Sequence, residues 1–343
     1  MHGGEGRPSR MESRGGGQGA GGRDGEGQVS RVRGGTQAGL GCCRRLSLWR
    51  LAVAAACLIL WGPAGAQEGD GVLLAWSPDR PRQGQVVHLR VEVREGGALR
   101  ALRFNGRPVL FFKGTGEDNV WHALVGIDAQ LEPGVYDVEA WLSPGPSQAV
   151  GDRVEKVRIQ VMAAEFPDEH LKLPDKMVDL SPKNLARVQK ERARLEELWA
   201  RETPGKFWDG PFLVPVPDGK AGTPFGVRRW INGQPRSPHT GLDITAPEGT
   251  PVQAANSGNV VLVAEHFFEG KCVFIDHGAG LYTMYFHLKE PRARQGQSVQ
   301  RGEVIGWVGS TGRATGPHLH WGVRLAGARV DPVALIEATS AFP

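Results

Sequence analysis

The stretch "GPHLHWGVRL", Gly316 to Leu325, sets two histidines one residue apart between a turn-forming Gly-Pro and an apolar tail. Read as a β-strand, it turns residues i and i+2 to the same face. His318 and His320 then look into one shared space, while Leu319 looks the other way, into a core. Two imidazoles on one face fit a metal site, a proton-transfer pair or a surface coincidence. Strands of the same texture surround them: "VVLVAEH", "CVFIDHG", "LYTMYFHL" and "VIGWVGS" are short apolar runs cut repeatedly by Gly and Pro. Residues 211–343 are therefore expected to form a compact all-β domain.

Upstream the texture changes twice. Residues 67–163 read as short alternating strands. Val87, Leu89, Val91 and Val93 of "VVHLRVEV" share a face, as do Tyr136, Val138, Ala140 and Leu142 of "GVYDVEAWL" and Val157, Ile159 and Val161 of "KVRIQV". Gly, Pro, Asp and Asn separate these runs, which predicts an Ig-like β-sandwich. His88 and His122 within it read as surface or structural residues. Residues 164–210 form a linker, extended at first and then helical. Ser181 is the expected N-cap and Pro182 the first helical residue. Leu185, Val188, Leu195 and Leu198 supply its apolar stripe. The fold class is thus mainly β, with a sandwich, a helical connector and a C-terminal all-β domain.

A length of 343 residues suits two or three domains, and 40% apolar with 23% charged residues is ordinary for a globular chain. The formal charge of +4 comes from the N-terminus, because residues 1–66 carry nine Arg and four acids. The rest holds 32 basic and 33 acidic residues, so its charge balance makes no case for nucleic acid. The first residues are Gly/Arg-rich and cannot bury a core. Their Gly17-x-Gly19-x-x-Gly22 match lacks a preceding strand and a following helix, and is compositional. Arg44, Arg45 and Arg50, the apolar run Leu51 to Trp61, and Ala64-Gly65-Ala66 describe a secretory signal peptide. That run is about half the ~20 residues of a membrane span. The expectation is a leader over 1–66, a start within it such as Met11, and export to the periplasm or beyond, with no stable membrane span after cleavage. Cys42, Cys43 and Cys57 lie in the leader, which leaves Cys272 alone and without a disulfide partner.

The other chemical segment is "SPHTGLDIT", with His239, Gly241 and Asp243 at i, i+2 and i+4. On a strand these share a face, and the glycine leaves open volume between imidazole and carboxylate that suits a cation. One histidine of the H-x-H pair would complete a three-ligand set around tetrahedral Zn²⁺. The fourth position, open to water, is the mark of a catalytic site. The lone Cys272 excludes a Cys-rich structural site. Either fragment alone arises often by chance, but the two in order, with "LYTMYFHL" between, do not.

In this combination the chain resembles the M23 (lysostaphin/LytM-type) zinc peptidases, over roughly Phe212 to Pro332. The motifs are His239-x-Gly241-x-Asp243, "VFIDHG" with Gly280, Tyr285-x-His287-Leu288, "GSTGRATGPHLHWGV" and Val330-Asp331-Pro332. The resemblance implies zinc ligands at His239, Asp243 and His320, one Zn²⁺ per chain, and a LytM-type fold for 211–343. It also implies that His287 and His318 are non-ligating catalytic histidines that handle protons and the oxyanion. The implied activity is an exported endopeptidase that hydrolyses stem or cross-link peptides of peptidoglycan with metal-activated water. The alternative within the family is a member that has lost metal ligands and activates cell-wall amidases; here all five positions are filled. Arg228, with Arg229 and Asn232 just upstream of the metal box, is the candidate substrate contact. His277 and Tyr285 read as structural and Trp321 as core, while His266 and Cys272 have no partner the sequence names. Expected partners are peptidoglycan peptides and, through the sandwich, cell-envelope proteins. The sandwich and helix are further expected to cover the groove until displaced. Which bond is cut and the oligomeric state are left open.

Overall fold

The computed structural model describes residues 65–340 apart from 70, 95–96, 115, 144–152, 173–179 and 202. The signal-peptide run and the Gly/Arg-rich segment lie outside the described residues. The first strand, Gly65–Gly69, takes in Gly65 and Ala66, the last two residues assigned to the leader.

The alternation read between 67 and 163 produces two facing antiparallel sheets. One runs Gly65–Gly69, Val72–Ser77, Val86–Val93, Val120–Gly126 and Phe111–Lys113, in that order; the other runs Arg107–Pro108, Ala98–Phe104, Gly134–Ser143 and Arg153–Val161. Val87, Leu89 and Val91 of the first meet Val138, Ala140, Val157 and Ile159 in one buried core. The opposite face of the first sheet is covered too. His88 and His122 are both buried there, with His88 Nε2 2.8 Å from His122 Nδ1. They are structural, since Phe112 stacks on His122 and Trp208 packs edge-on against Phe112. Asp128 reaches across to Arg329 and accepts from its Nε at 3.1 Å and its Nη2 at 2.8 Å.

The connector helix spans Pro182–Trp199, and the Ser181 side chain accepts from Asn184 N–H at its start. Its stripe is only half buried. Leu195, Leu198 and Trp199 pack with Leu262, Phe274, Met284 and Phe286, whereas Leu185 is exposed. At mid-helix Glu191 meets the turn of a β-hairpin and accepts from Phe267 N–H at 3.0 Å. One turn earlier the contact is made by Arg187, whose guanidinium lies over the Phe267 ring, and not by the apolar stripe. The extended part of the linker forms a strand, Asp168–Leu171, parallel to Arg228–Ile231.

The C-terminal sheet runs Lys220–Ala221, Gly241–Thr245, His318–Leu325, Leu281–Pro291, Gly270–Asp276, Gly258–His266 and Ser298–Val299, with Pro251–Gln253, Val304–Val308 and Ala328–Val330 attached at its sides. Leu319, Trp321, Val323, Tyr285, Val273 and Ile275 bury one face in a common core. A closing helix, Pro332–Ser340, lies beyond the strands expected of this domain. Its signal was Asp331-Pro332, since the Asp331 carboxylate accepts from Val333 N–H at 2.9 Å and Pro suits a first helical position.

Candidate metal centre and its histidines

Adjacent strands in register assemble the cluster. Gly241–Thr245 pairs antiparallel with His318–Leu325, with Asp243 opposite His320 and Gly241 opposite Gly322. His239 precedes the first strand by two residues. It is held by its own N–H to Val227 O and by Gly226 N–H to its carbonyl, each at 2.8 Å. His239 Nε2, Asp243 Oδ1 and His320 Nδ1 then converge, every pair 2.9 Å apart.

The donor set tests whether a cation belongs there. His239 Nδ1 lies 2.7 Å from the Pro224 carbonyl, which can only accept, so the proton sits on Nδ1 and Nε2 carries the lone pair. In neutral His239 that lone pair faces a carboxylate oxygen at 2.9 Å, two acceptors without a proton between them. Only positive charge makes this favourable, and a divalent cation satisfies all three ligand atoms at once. Tetrahedral Zn²⁺ with bonds of ~2.1 Å sets its ligands ~3.4 Å apart, so the cluster fits after opening by about half an ångström. The residues suit the metal that the motif implies.

Gly241 has a different task from the one expected. A Cβ there would lie 2.5 Å from His320 Nε2 and 2.6 Å from Trp321 O. The space above the glycine is filled by the His320 ring, and its absent side chain lets the strands close enough to bring His320 to Asp243.

His287 arrives by an irregularity. Phe286 pairs with His320 and stacks on it at 5.2 Å, so Phe286 is on the site face and Tyr285 on the core face. Strict alternation would send His287 to the core with Tyr285. Instead Lys271 pairs with Leu288 and Val273 with Tyr285, so one extra residue is accommodated between them. His287 takes a left-handed φ of 61° and its N–H bonds Glu269 O at 2.8 Å. Its ring reaches His318, 4.8 Å away by ring centroids, and Nδ1 lies 2.8 Å from Thr311 O. His318 is fixed in the same way, with Nδ1 2.8 Å from Gly316 O and Nε2 3.8 Å from Asp243 Oδ1. Both imidazoles thus keep a proton on Nδ1 and offer Nε2 as a base.

Burial keeps His287 and His320 neutral, while Asp243 stays charged. Burial, reinforced by the neighbouring His320, lowers His287 to about 4; burial likewise takes His320 to about 4. Burial alone would raise Asp243; a proton or cation shared with His239 and His320 overrides it and holds the carboxyl far below its ordinary range.

Arg228 is not brought to the cluster. Its guanidinium pairs with Asp168 of the linker strand at 2.9 Å and is largely exposed. Arg229 is the arginine that approaches, with Nη2 3.9 Å from Asp243 Oδ2 and Nε 3.0 Å from Glu169 Oε2. His277 lies in the core, with Nδ1 2.8 Å from Ser257 O and Nε2 2.7 Å from Thr283 Oγ1. Thr283 Oγ1 lies 2.9 Å from Tyr285 OH, which also accepts from Ala255 N–H, so both His277 and Tyr285 read as structural. Trp321 and Cys272 are fully buried. Among the described residues no helix is long and apolar enough to cross a membrane.

Comparison with known proteins supplies a family for the domain that carries this cluster. The family described as Peptidase family M23 matches residues 237–332. The chain is 42% identical over 123 residues to the DD-carboxypeptidase/endopeptidase Mpg of Neisseria meningitidis, a match covering 36% of this chain and 28% of that protein. It is 42% identical over 108 residues to the peptidoglycan DD-endopeptidase ShyA of Vibrio cholerae, covering 31% of this chain and 25% of that protein. The match therefore spans little more than a quarter of the length of these curated relatives. A solved Pseudomonas aeruginosa structure assigned to peptidase M23 is 34% identical with a TM-score of 0.57, covering 76% of this chain and 96% of that one.

Proposed function

Because the chain belongs to peptidase family M23, we propose that it is an exported zinc-dependent endopeptidase that hydrolyses peptide bonds of peptidoglycan. The observation that carries this reading is the convergence of His239 Nε2, Asp243 Oδ1 and His320 Nδ1 at 2.9 Å, with the His239 lone pair aimed inward by Pro224 O. The names of its matched relatives, DD-carboxypeptidase/endopeptidase and DD-endopeptidase, make D,D bonds the proposed target. In this reading residues 211–343 carry the chemistry, 67–163 make the envelope-facing sandwich, and the periplasm is the working compartment.

His239, Asp243 and His320 would hold the zinc ion. When bound, it supplies Lewis acidity that polarises the scissile carbonyl and makes water nucleophilic near neutral pH. The chain's own groups do the rest. His318, with Nε2 beside Asp243 and free to accept, takes the proton from the attacking water. His287, neutral through burial, orients that water with its own Nε2. Once one imidazole has taken the proton, it can donate to the developing oxyanion and then to the leaving amine. Arg229, 3.9 Å from Asp243 Oδ2, adds positive charge on that side.

Digestion of purified sacculi, with mass analysis of the released muropeptides, tests the reading. Release of D,D-cleaved products that disappears in chelator and in His320→Ala is the expected result. Release unchanged in His320→Ala overturns it. Binding to sacculi with no release, and stimulation of an added amidase, would mark a regulator instead.

A further inference from the structure

His266 ends the strand Gly258–His266 on the side of the sheet where the connector helix docks. It is 4% exposed, and its Nδ1 makes no hydrogen bond. A buried ring nitrogen without a partner has lost its water and gained nothing in exchange. Facing it are two carboxylates. Glu269 Oε2, three residues on, lies 3.9 Å away, and Glu191 enters from the helix. One ligand atom from each of Glu191, His266 and Glu269 lies within 4.8 Å of the other two.

Each carboxylate has capacity left. Glu191 is held in place by Arg187 Nε at 2.7 Å and Phe267 N–H at 3.0 Å, one on each oxygen, so each keeps a second lone pair. Arg187 in turn donates to Glu265 O. One imidazole and two carboxylates neutralise a dication, and a nitrogen ligand favours Zn²⁺ and its transition-metal neighbours over Ca²⁺ or Mg²⁺. Bonds of ~2.1 Å require ligand separations of ~3.4 Å, which small side-chain rotations in this half-open turn can supply.

We propose that Glu191, His266 and Glu269 form a second divalent-cation site of the zinc class, separate from the His239–Asp243–His320 centre. The cation ties the connector helix to the hairpin turn 266–270. That turn also presents Glu269 O to His287 N–H and Phe268 O to Arg313 N–H, so an ion there steadies the backbone that aims His287.

The test uses the full chain, stripped with chelator, dialysed, and titrated with Zn²⁺ alone by calorimetry, alongside thermal melts. Wild type is expected to take up two equivalents and His320→Ala to retain one. In His320→Ala combined with Glu269→Gln, the remaining uptake weakens at least 100-fold and the Zn²⁺-induced rise in melting temperature disappears. Glu191→Gln, which keeps an oxygen for Phe267 N–H, should act in the same direction, with a metal-free melting temperature matching wild type to show intact folding. A wild type that binds one equivalent, lost entirely with His320→Ala, overturns the proposal. Uptake by His320→Ala that neither glutamine substitution changes overturns it too, and marks adventitious surface binding.

Discussion

Gly241→Ala is the sharpest perturbation of the metal centre that leaves every ligand in place. The backbone at Gly241 is ordinary strand, so the cost is one of space alone. The new methyl would sit 2.6 Å from Trp321 O and 2.5 Å from His320 Nε2. Trp321 O belongs to the paired strand and cannot rotate away, so the strands must part by about 0.8 Å to restore an ordinary contact. Asp243 and His320 face each other across that same pair, two residues along. About half an ångström of that parting only opens the cluster to metal-ligand spacing, but the His320 ring must itself retreat by about 0.9 Å from the new methyl, several times the ~0.2 Å tolerance of a metal bond. Zinc affinity should fall at least ~100-fold and muropeptide release by a similar factor, with ~1–3 kcal/mol lost in stability to overpacking. Gly322→Ala is the control. There the nearest atom is the terminal methyl of Met284 at 2.9 Å, which can swing aside, and little change is expected. Zinc competition against a chromophoric chelator, with melts of both variants, reads the outcome. A Gly241→Ala protein with wild-type affinity and melting temperature would refute the assignment of the glycine to strand approach.

His287→Ala should keep its zinc, measured by elemental analysis, while losing ~10²–10⁴-fold in rate; zinc loss would make it a ligand. Asp128→Asn removes the carboxylate clamped by Arg329 and should cost ~1–3 kcal/mol at neutral pH. Burial opposes ionisation of Asp128, yet hydrogen bonds from Arg329 win and depress its pKa, so that stability is present above the unfolded value of ~3.9 and lost as pH falls through the folded one. Denaturation midpoints of wild type and variant should converge well below pH 4, and an undiminished gap there would exclude this pairing as the cause. Asp168→Ala with Glu169→Ala unties the linker strand from Arg228 and Arg229, and faster digestion of sacculi than by wild type is expected; equal rates would deny the linker any restraining role.

Much of the centre was legible because strand alternation is a rigid rule. H-x-H places its ends on one face and register brings His320 opposite Asp243, whereas His239, two residues before the strand, is set by its backbone bonds to Val227 and Gly226. The same rule failed at His287, where a single bulged residue reverses the facing, and no sequence signal beside it announces the bulge. Arg228 and Arg229 are adjacent, and only the parallel strand Asp168–Leu171, a long-range pairing, decides which one reaches Asp243. The helix stripe was legible as far as Leu195 and Leu198. Its outer half depends on where the hairpin it docks against ends, which helical periodicity does not encode. His88, His122 and His266 are buried by segments distant in the chain, so composition gave no hint of what faces them. The Asp331-Pro332 pair that starts the closing helix also closes the family motif, and one dipeptide serves both.

The bulge beside His287 has a consequence for how this site is inherited. Tyr285 is locked to the core through its hydroxyl, and His287, two positions on, serves the opposite face. The placement is therefore written as a count of residues as well as a choice of residues. Deleting Phe286 would leave every metal ligand in place, yet straighten the strand and move His287 one position along it, out of the placement that reaches His318. Two chains with identical metal boxes could differ in competence by the length of this one segment.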